Sequence, residues 1–223
     1  MDWLALSLSL KLAFGTILVL LPLGIWLGRI LAWSKFHGKP VVEALLALPL
    51  VLPPTVLGYY LLTSIGTETM IGRWYESLIG HALVFSFDGL LLASVIFNLP
   101  FAILPIQRAF EAIAPEVREA ALCCGMSRFR LMCRIELPLA WPGIISAMVL
   151  TFAHTLGEFG VVLMVGGSIP GETRTIAISI YDRVQSFDSA SAGLMSAALL
   201  MISILAISGS YFVAGRAWPK RRS

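Results

Sequence analysis

Charge is scarce in this sequence. Asp, Glu, Lys and Arg make up 13% of its 223 residues, while 58% are hydrophobic and the mean hydropathy is +0.87. Average soluble domains are about 25% charged and roughly 45–50% apolar. A chain this depleted of charge would expose large apolar patches to water, whereas a bilayer accepts an apolar exterior. A water-soluble fold is excluded, and an all-α integral membrane protein is expected. Cysteine is scarce too: Cys123, Cys124 and Cys133 form neither a metal-ligand spacing nor a disulfide framework, so no metal site is expected. A Gly-rich phosphate loop ending in Lys-Ser/Thr is missing, so the chain is not expected to hydrolyse ATP itself. Length is short as well. Spans of about 20 residues each would consume the chain in about five or six crossings, which leaves one transmembrane domain, 1–223, and no soluble one.

Long apolar runs mark five spans, at about 4–33, 41–64, 89–107, 142–165 and 190–214. The first is too long for a signal-peptide core and no small-residue cleavage site follows it, so it counts as a span. The second carries Pro49, Pro53 and Pro54 and should kink or break there. The third contains Pro100, Pro105 and Asn98, a residue suited to bridging neighbouring helices. With the N-terminus outside, 12 of the 16 basic residues fall on the cytoplasmic side, leaving Lys11, Arg73, Arg174 and Arg183 outside. That asymmetry satisfies the positive-inside rule, so an outside N-terminus and a cytoplasmic C-terminus are expected. The apolar stretch Ala82-Leu83-Val84-Phe85 is too short to cross and is expected in or near the outer interface. The net charge of +3 gives no reason to expect a nucleic-acid partner.

Between the third and fourth spans, residues 109–141 are punctuated as two helices and a turn. Pro115 suits a first helical position, Glu116 and Glu119 favour the positive first turns, and Gly125 can close a helix in the left-handed conformation. Ser127 can cap a second helix reaching about Leu137, which Pro138 helps to end. The plain alternative is a solvated loop whose Arg128, Arg130 and Arg134 touch anionic lipid.

The residues of this segment carry a resemblance. Glu119-Ala120-Ala121, three residues, Gly125, nine residues, then Ile135-Glu136-Leu137-Pro138 resembles the EAA loop of ABC importer permeases at every defining position. The resemblance implies a type I ABC importer permease fold. In it Glu119, Ala120, Ala121, Gly125, Ile135, Leu137 and Pro138 belong to a coupling helix that seats in a separate cytoplasmic ATPase subunit, which would bind ATP and magnesium. Small Ala120 and Ala121 permit close approach, and Glu119 offers an acceptor. Three more stretches, Leu48–Tyr59, Leu156–Gly160 and Ile169–Thr175, are similar to the molybdate branch of that family. They imply a permease of the bacterial inner membrane that works as a homodimer with an extracytoplasmic molybdate-binding protein and takes no cofactor of its own. A sulfate/thiosulfate or tungstate permease of the same fold is the alternative. Where the family often has Arg in the turn before Gly157, this sequence has His154.

An acidic residue facing lipid costs about 2.5–3.5 kcal/mol on insertion scales, so Glu158 should face the bundle interior or a water-filled path. His154 lies one turn earlier and Thr151 another partial turn earlier. With Gly157 and Gly160 they make the candidate pathway or gate. The equal alternative is structural: Glu158 bonded to backbone amides at a broken helix, His154 stacked between helices. In the outer loop Glu172 and Arg174 either touch the binding protein or pair with each other.

Overall fold

The computed structural model describes residues 1–217. These are helical throughout, in the order α1 (Trp3–Trp33), α2 (Lys39–Val51), α3 (Pro54–Ile65), α4 (Met70–Ile79), α5 (Phe87–Glu111), α6 (Pro115–Cys123), α7 (Arg128–Leu131), a π-helical turn (Met132–Glu136), α8 (Leu137–Gly157), α9 (Gly160–Gly166), α10 (Ile176–Gln185) and α11 (Ser189–Ala217). Four helical segments are long and apolar enough to cross a membrane: α1, α5, the rod Arg128–Gly157, and α11 over Ser189–Gly209. The pair α2 and α3 is a fifth candidate, bent by 109°.

Helices α1, α5 and α8 pack against one another as the centre of the molecule. Lipid tails are as apolar as leucine, so helices in a bilayer are held by close contact rather than by expulsion from water. This sequence places glycine where that contact is tightest. A Cβ on Gly28 of α1 would lie 3.0 Å from the Gln107 backbone nitrogen of α5, and one on Gly143 of α8 would lie 2.3 Å from the Cβ of Ala109. Ile106, Phe110, Ala140, Ile144 and Ala147 fill the seam. A second packing unit joins α3 to α9. Its core is Ile65, Ala93, Phe97, Val161 and Val165, together with Leu83 and Val84.

The second span breaks where its prolines predict: it is two helices, because Pro54 lacks the N–H that would continue α2 and Pro53 and Leu52 are extended. Elsewhere the structure departs from the expected spans. The fourth starts earlier and ends earlier than 142–165. The helix passes through Pro138, since the preceding π-helical turn widens the backbone where the proline ring and its missing N–H would break an α-helix. It then stops at Gly157; Glu158 is extended, and α9 restarts at Gly160. Residues 82–85 are split, Phe85 being exposed and Ala82 half-buried. Leu83 and Val84 are buried, and the Phe85 N–H donates to the Val165 carbonyl at 2.9 Å. The segment before the last span is more than a loop, since α10 is amphipathic and its first N–H, from Ile176, donates to Ser9 Oγ of α1 at 2.8 Å. Helix α5, by contrast, runs unbroken through Pro100 and Pro105.

Candidate functional site

The hairpin at one end of the bundle forms as its punctuation demands. Pro115 occupies the first turn of α6. Gly125 takes φ +76°, a left-handed conformation that a side chain disfavours, and the Met126 N–H returns to the Ala121 carbonyl at 3.2 Å. Ser127 Oγ accepts from the Arg130 N–H at 3.4 Å. Ala121 is buried, while Glu119, Ala120 and Gly125 are exposed beside the apolar side chains Val117, Leu122 and Phe129, the last 73% exposed. Ile135 and Leu137 are half-buried and Pro138 is exposed. Exposed apolar side chains interleaved with Glu116, Glu119, Arg128 and Arg130, carried on a short hairpin, form a surface suited to being covered by another.

Glu136 anchors that hairpin. Its side chain is fully buried, and its two oxygens accept from Arg29 Nε of α1 at 2.6 Å and Arg118 Nε of α6 at 2.7 Å. The Arg118 guanidinium also lies 3.8 Å from the centroid of the Trp33 ring, a cation–π contact. Thus α1, α6 and the start of α8 meet on one carboxylate. Sequence reasoning passed over Glu136, because it stands at the unspecified position of the EAA pattern; its signal was a lone acid at the start of an apolar helix.

The break between α8 and α9 makes the second polar feature. Glu158 is 5% exposed, and neither carboxylate oxygen meets a hydrogen-bond donor within the chain. The Thr151 hydroxyl is likewise buried and unpartnered. His154, on the same side, donates from Nδ1 to Asn98 Oδ1 at 3.0 Å and stacks on Phe101 with centroids 3.9 Å apart. Asn98 in turn donates to the Ser94 carbonyl at 2.8 Å, and Thr16 of α1 donates to Ser94 Oγ at 2.9 Å. This chain of polar groups ties α1, α5 and α8 together. Pro54, Thr55, His154, Gly157, Glu158 and Gly160 line a cleft of about 570 Å³. Gly160 is needed for its narrow wall, since a Cβ there would lie 2.8 Å from Pro54 Cβ. The two helix breaks, at Pro53 and at Glu158, therefore face each other.

Comparison with known proteins adds to this geometry. A family profile described as "Binding-protein-dependent transport system inner membrane component" matches residues 21–215. The chain belongs to this family. It is 42% identical over 210 residues to the molybdenum transport system permease protein ModB of Azotobacter vinelandii, covering 94% of this chain and 93% of that one. Its identity to the protein of the same description from Escherichia coli K12 is 39% over 208 residues, covering 92% and 91%. A probable sulfate transport system permease of Chlorella vulgaris is 29% identical over 203 residues, 91% of this chain and 76% of that one. The fold is also that of solved importers: a bacterial alginate ABC transporter at TM-score 0.77 and 17% identity, over 96% of this chain and 78% of that one, and the methionine transporter MetNI at 0.71 and 15%, over 98% and 94%.

At the opposite end of the permease from the hairpin, the expected loop residues separate. Arg174 does not pair with Glu172. Its Nε lies 3.6 Å from Asp182 Oδ2 of α10 and donates to Ser168 Oγ at 3.0 Å, which folds the loop onto α10. Glu172 is exposed and lines a cleft of about 640 Å³ with Lys11, His81, Phe85 and Asp88.

Proposed function

We propose that this chain is the permease subunit of an ATP-driven importer that carries molybdate across the cytoplasmic membrane by alternating access, working as a homodimer. The ATPase subunits, which bind ATP and magnesium, seat on the Glu119–Gly125 hairpin, and an extracytoplasmic molybdate-binding protein docks at the far end around Glu172 and Arg174. Full-length relatedness to two molybdenum permeases, at 42% and 39% against 29% for a sulfate permease, supports the substrate class. Orientation follows from charge. Arg29, Lys35, Lys39, Arg108, Arg118, Arg128, Arg130 and Arg134 lie toward the hairpin end, against Lys11, Arg73, Arg174 and Arg183 toward the other, which favours a cytoplasmic hairpin and an external N-terminus. Arg216 and residues 220–222, which the charge count also assigned to the cytoplasm, fall on a side chain and a terminus outside the described residues.

One observation carries the reading: an exposed, partly apolar hairpin tip whose base is bonded to the transmembrane bundle through Glu136. A partner that rotates the tip moves α1 and α8 with it, and α8 ends at the Glu158 cleft. Thr151, His154, Gly157, Glu158 and Gly160 are assigned to the pathway or its gate, where the unpaired oxygens of Glu158 would be satisfied by water or by a second copy. ATP closure and a docked binding protein then bias a two-state dimer.

The test is uptake of labelled molybdate by proteoliposomes holding the permease with its ATPase and binding protein. Nothing lies within 4 Å of a Cβ built on Gly125, so Gly125→Val meets backbone strain rather than a clash, costing roughly 1–3 kcal/mol. The variant should insert normally and hydrolyse ATP without matching uptake. Normal coupled uptake at normal membrane levels would remove the hairpin assignment, and competition by excess sulfate stronger than by tungstate would move the substrate to the sulfate class.

A further inference from the structure

Where α1, α6 and α7 converge, a cleft of about 330 Å³ is lined by Arg29, Trp33, Ser34, Arg118, Leu122 and Arg128, among others. Its charges do not balance. Glu136 takes one N–H from Arg29 and one from Arg118, and each guanidinium carries five donors in a planar fork. Arg128, the first residue of α7, has no ion-pair partner among the described residues. Three guanidinium groups against one buried carboxylate leave the cleft strongly positive. Within the same wall the Trp33 Nε1–H is buried with no acceptor, a donor that costs free energy until something accepts from it. The face of Arg118 is held by the Trp33 ring, so its donors are fixed in direction before any ligand arrives.

Planar forks matched to tetrahedral oxygens, a neutral ring N–H and a surplus of positive charge are the chemistry of phosphate recognition. We infer that this cleft is a phosphate-binding site, filled by a phospholipid headgroup or by free inorganic phosphate. The position admits both: Trp33 is the last residue of the apolar helix α1, at the depth where aromatic belts meet headgroups, and Ser34 already belongs to the polar connection. A phosphate held there bridges α1, α6 and α7 and stiffens the base of the hairpin beside the Glu136 anchor. Only the leaflet concerned rests on the permease reading. The binding itself does not, so its failure would leave the coupling assignment standing, and loss of coupling would leave the site standing.

The experiment is native mass spectrometry of the purified full chain in neutral detergent, titrated with phosphatidylglycerol and, separately, with inorganic phosphate. The key variant is Arg128→Gln, since Arg128 holds nothing else in the fold; the control is Arg130→Gln, the same charge change on an exposed neighbour that does not line the cleft. Wild type should bind at least one probe. Arg128→Gln should weaken that binding about tenfold, the loss of a charge-assisted contact, while Arg130→Gln leaves it nearly unchanged. Trp33→Phe, which keeps the ring beneath Arg118 and deletes only the donor, should weaken it as well. Selective loss with the lipid assigns the headgroup; selective loss with inorganic phosphate assigns a free anion; either supports the site. Absence of binding by both probes, or an equal loss in Arg128→Gln and Arg130→Gln, overturns it.

Discussion

Helix α8 is flanked by two buried glutamates in opposite circumstances. Glu136, at its start, is fully enclosed and bonded to two arginines, whereas Glu158, just past its end, is nearly as enclosed and bonded to nothing in the chain. Burial alone therefore says little about what an acid does. A buried carboxylate whose lone pairs are met by guanidinium donors holds elements together, and removing it strands the cations. A buried carboxylate with no donor costs stability and persists only where something outside the subunit meets it. The first arrangement suits a rigid joint, and the second suits a path or an interface that is completed on assembly.

Substitutions should separate the two ends of α8. Glu136→Gln leaves Arg29 and Arg118 facing each other without a counter-charge; it should destabilise the chain by about 3–5 kcal/mol, read as a lower thermal midpoint in detergent and faster amide exchange in α6 and α7. Unchanged exchange there would dissolve the contrast. Glu158→Met should act with the opposite sign, raising stability by on the order of 1–2 kcal/mol as a buried polar group without partners is removed, while uptake falls. A loss of stability would mean that Glu158 is paired within the subunit after all. His154→Phe keeps the stack on Phe101 but leaves Asn98 Oδ1 without its donor, at a cost of about 1 kcal/mol. The same loss in Asn98→Leu, with no further loss in the double variant, would show that the pair acts as one bridge.

The smallest effect belongs to a carboxylate on the far surface, which calibrates the other two. Burial and the hydrogen bond it donates to Asp88 push the Tyr75 hydroxyl up to about 12 from an ordinary 10.0. A tyrosine whose folded pKa is raised favours the folded state below its unfolded pKa. That contribution is present below pH 10 and is lost as pH rises through about 12. Ultraviolet titration should show one late-ionising tyrosine that moves back toward the ordinary value in Asp88→Asn, with little change in stability at neutral pH.

Much of this was readable before any coordinates. Pro115, Gly125 and Ser127 act on backbone within a few residues of themselves, so the hairpin could be placed from local capping chemistry alone. Pro53 and Pro54 broke the second span for the same reason. Pro138 was misleading, because a proline ends a helix only when the backbone cannot widen around it, and here a π-helical turn supplies the room. Four apolar residues at 82–85 carry no mark of the pocket between α3, α5 and α9 that receives Leu83 and Val84 while Phe85 stays exposed. Of the candidate pathway, the polar face of α8 was visible in the spacing of Thr151, His154 and Glu158; Asn98, the partner of His154, lies 56 positions away on another helix.

The sequence by itself determined the solvent, the helical class and the position of the α6–α7 hairpin, because hydropathy, charge placement and capping are sums over neighbours in the chain. Which buried acid is paired was decided only by tertiary structure. Arg29 and Arg118 reach Glu136 across 107 and 18 positions, and no local pattern specifies that meeting. It arises when glycines let α1, α5 and α8 close together, and the same closure leaves Glu158 at a helix break with no arginine in reach.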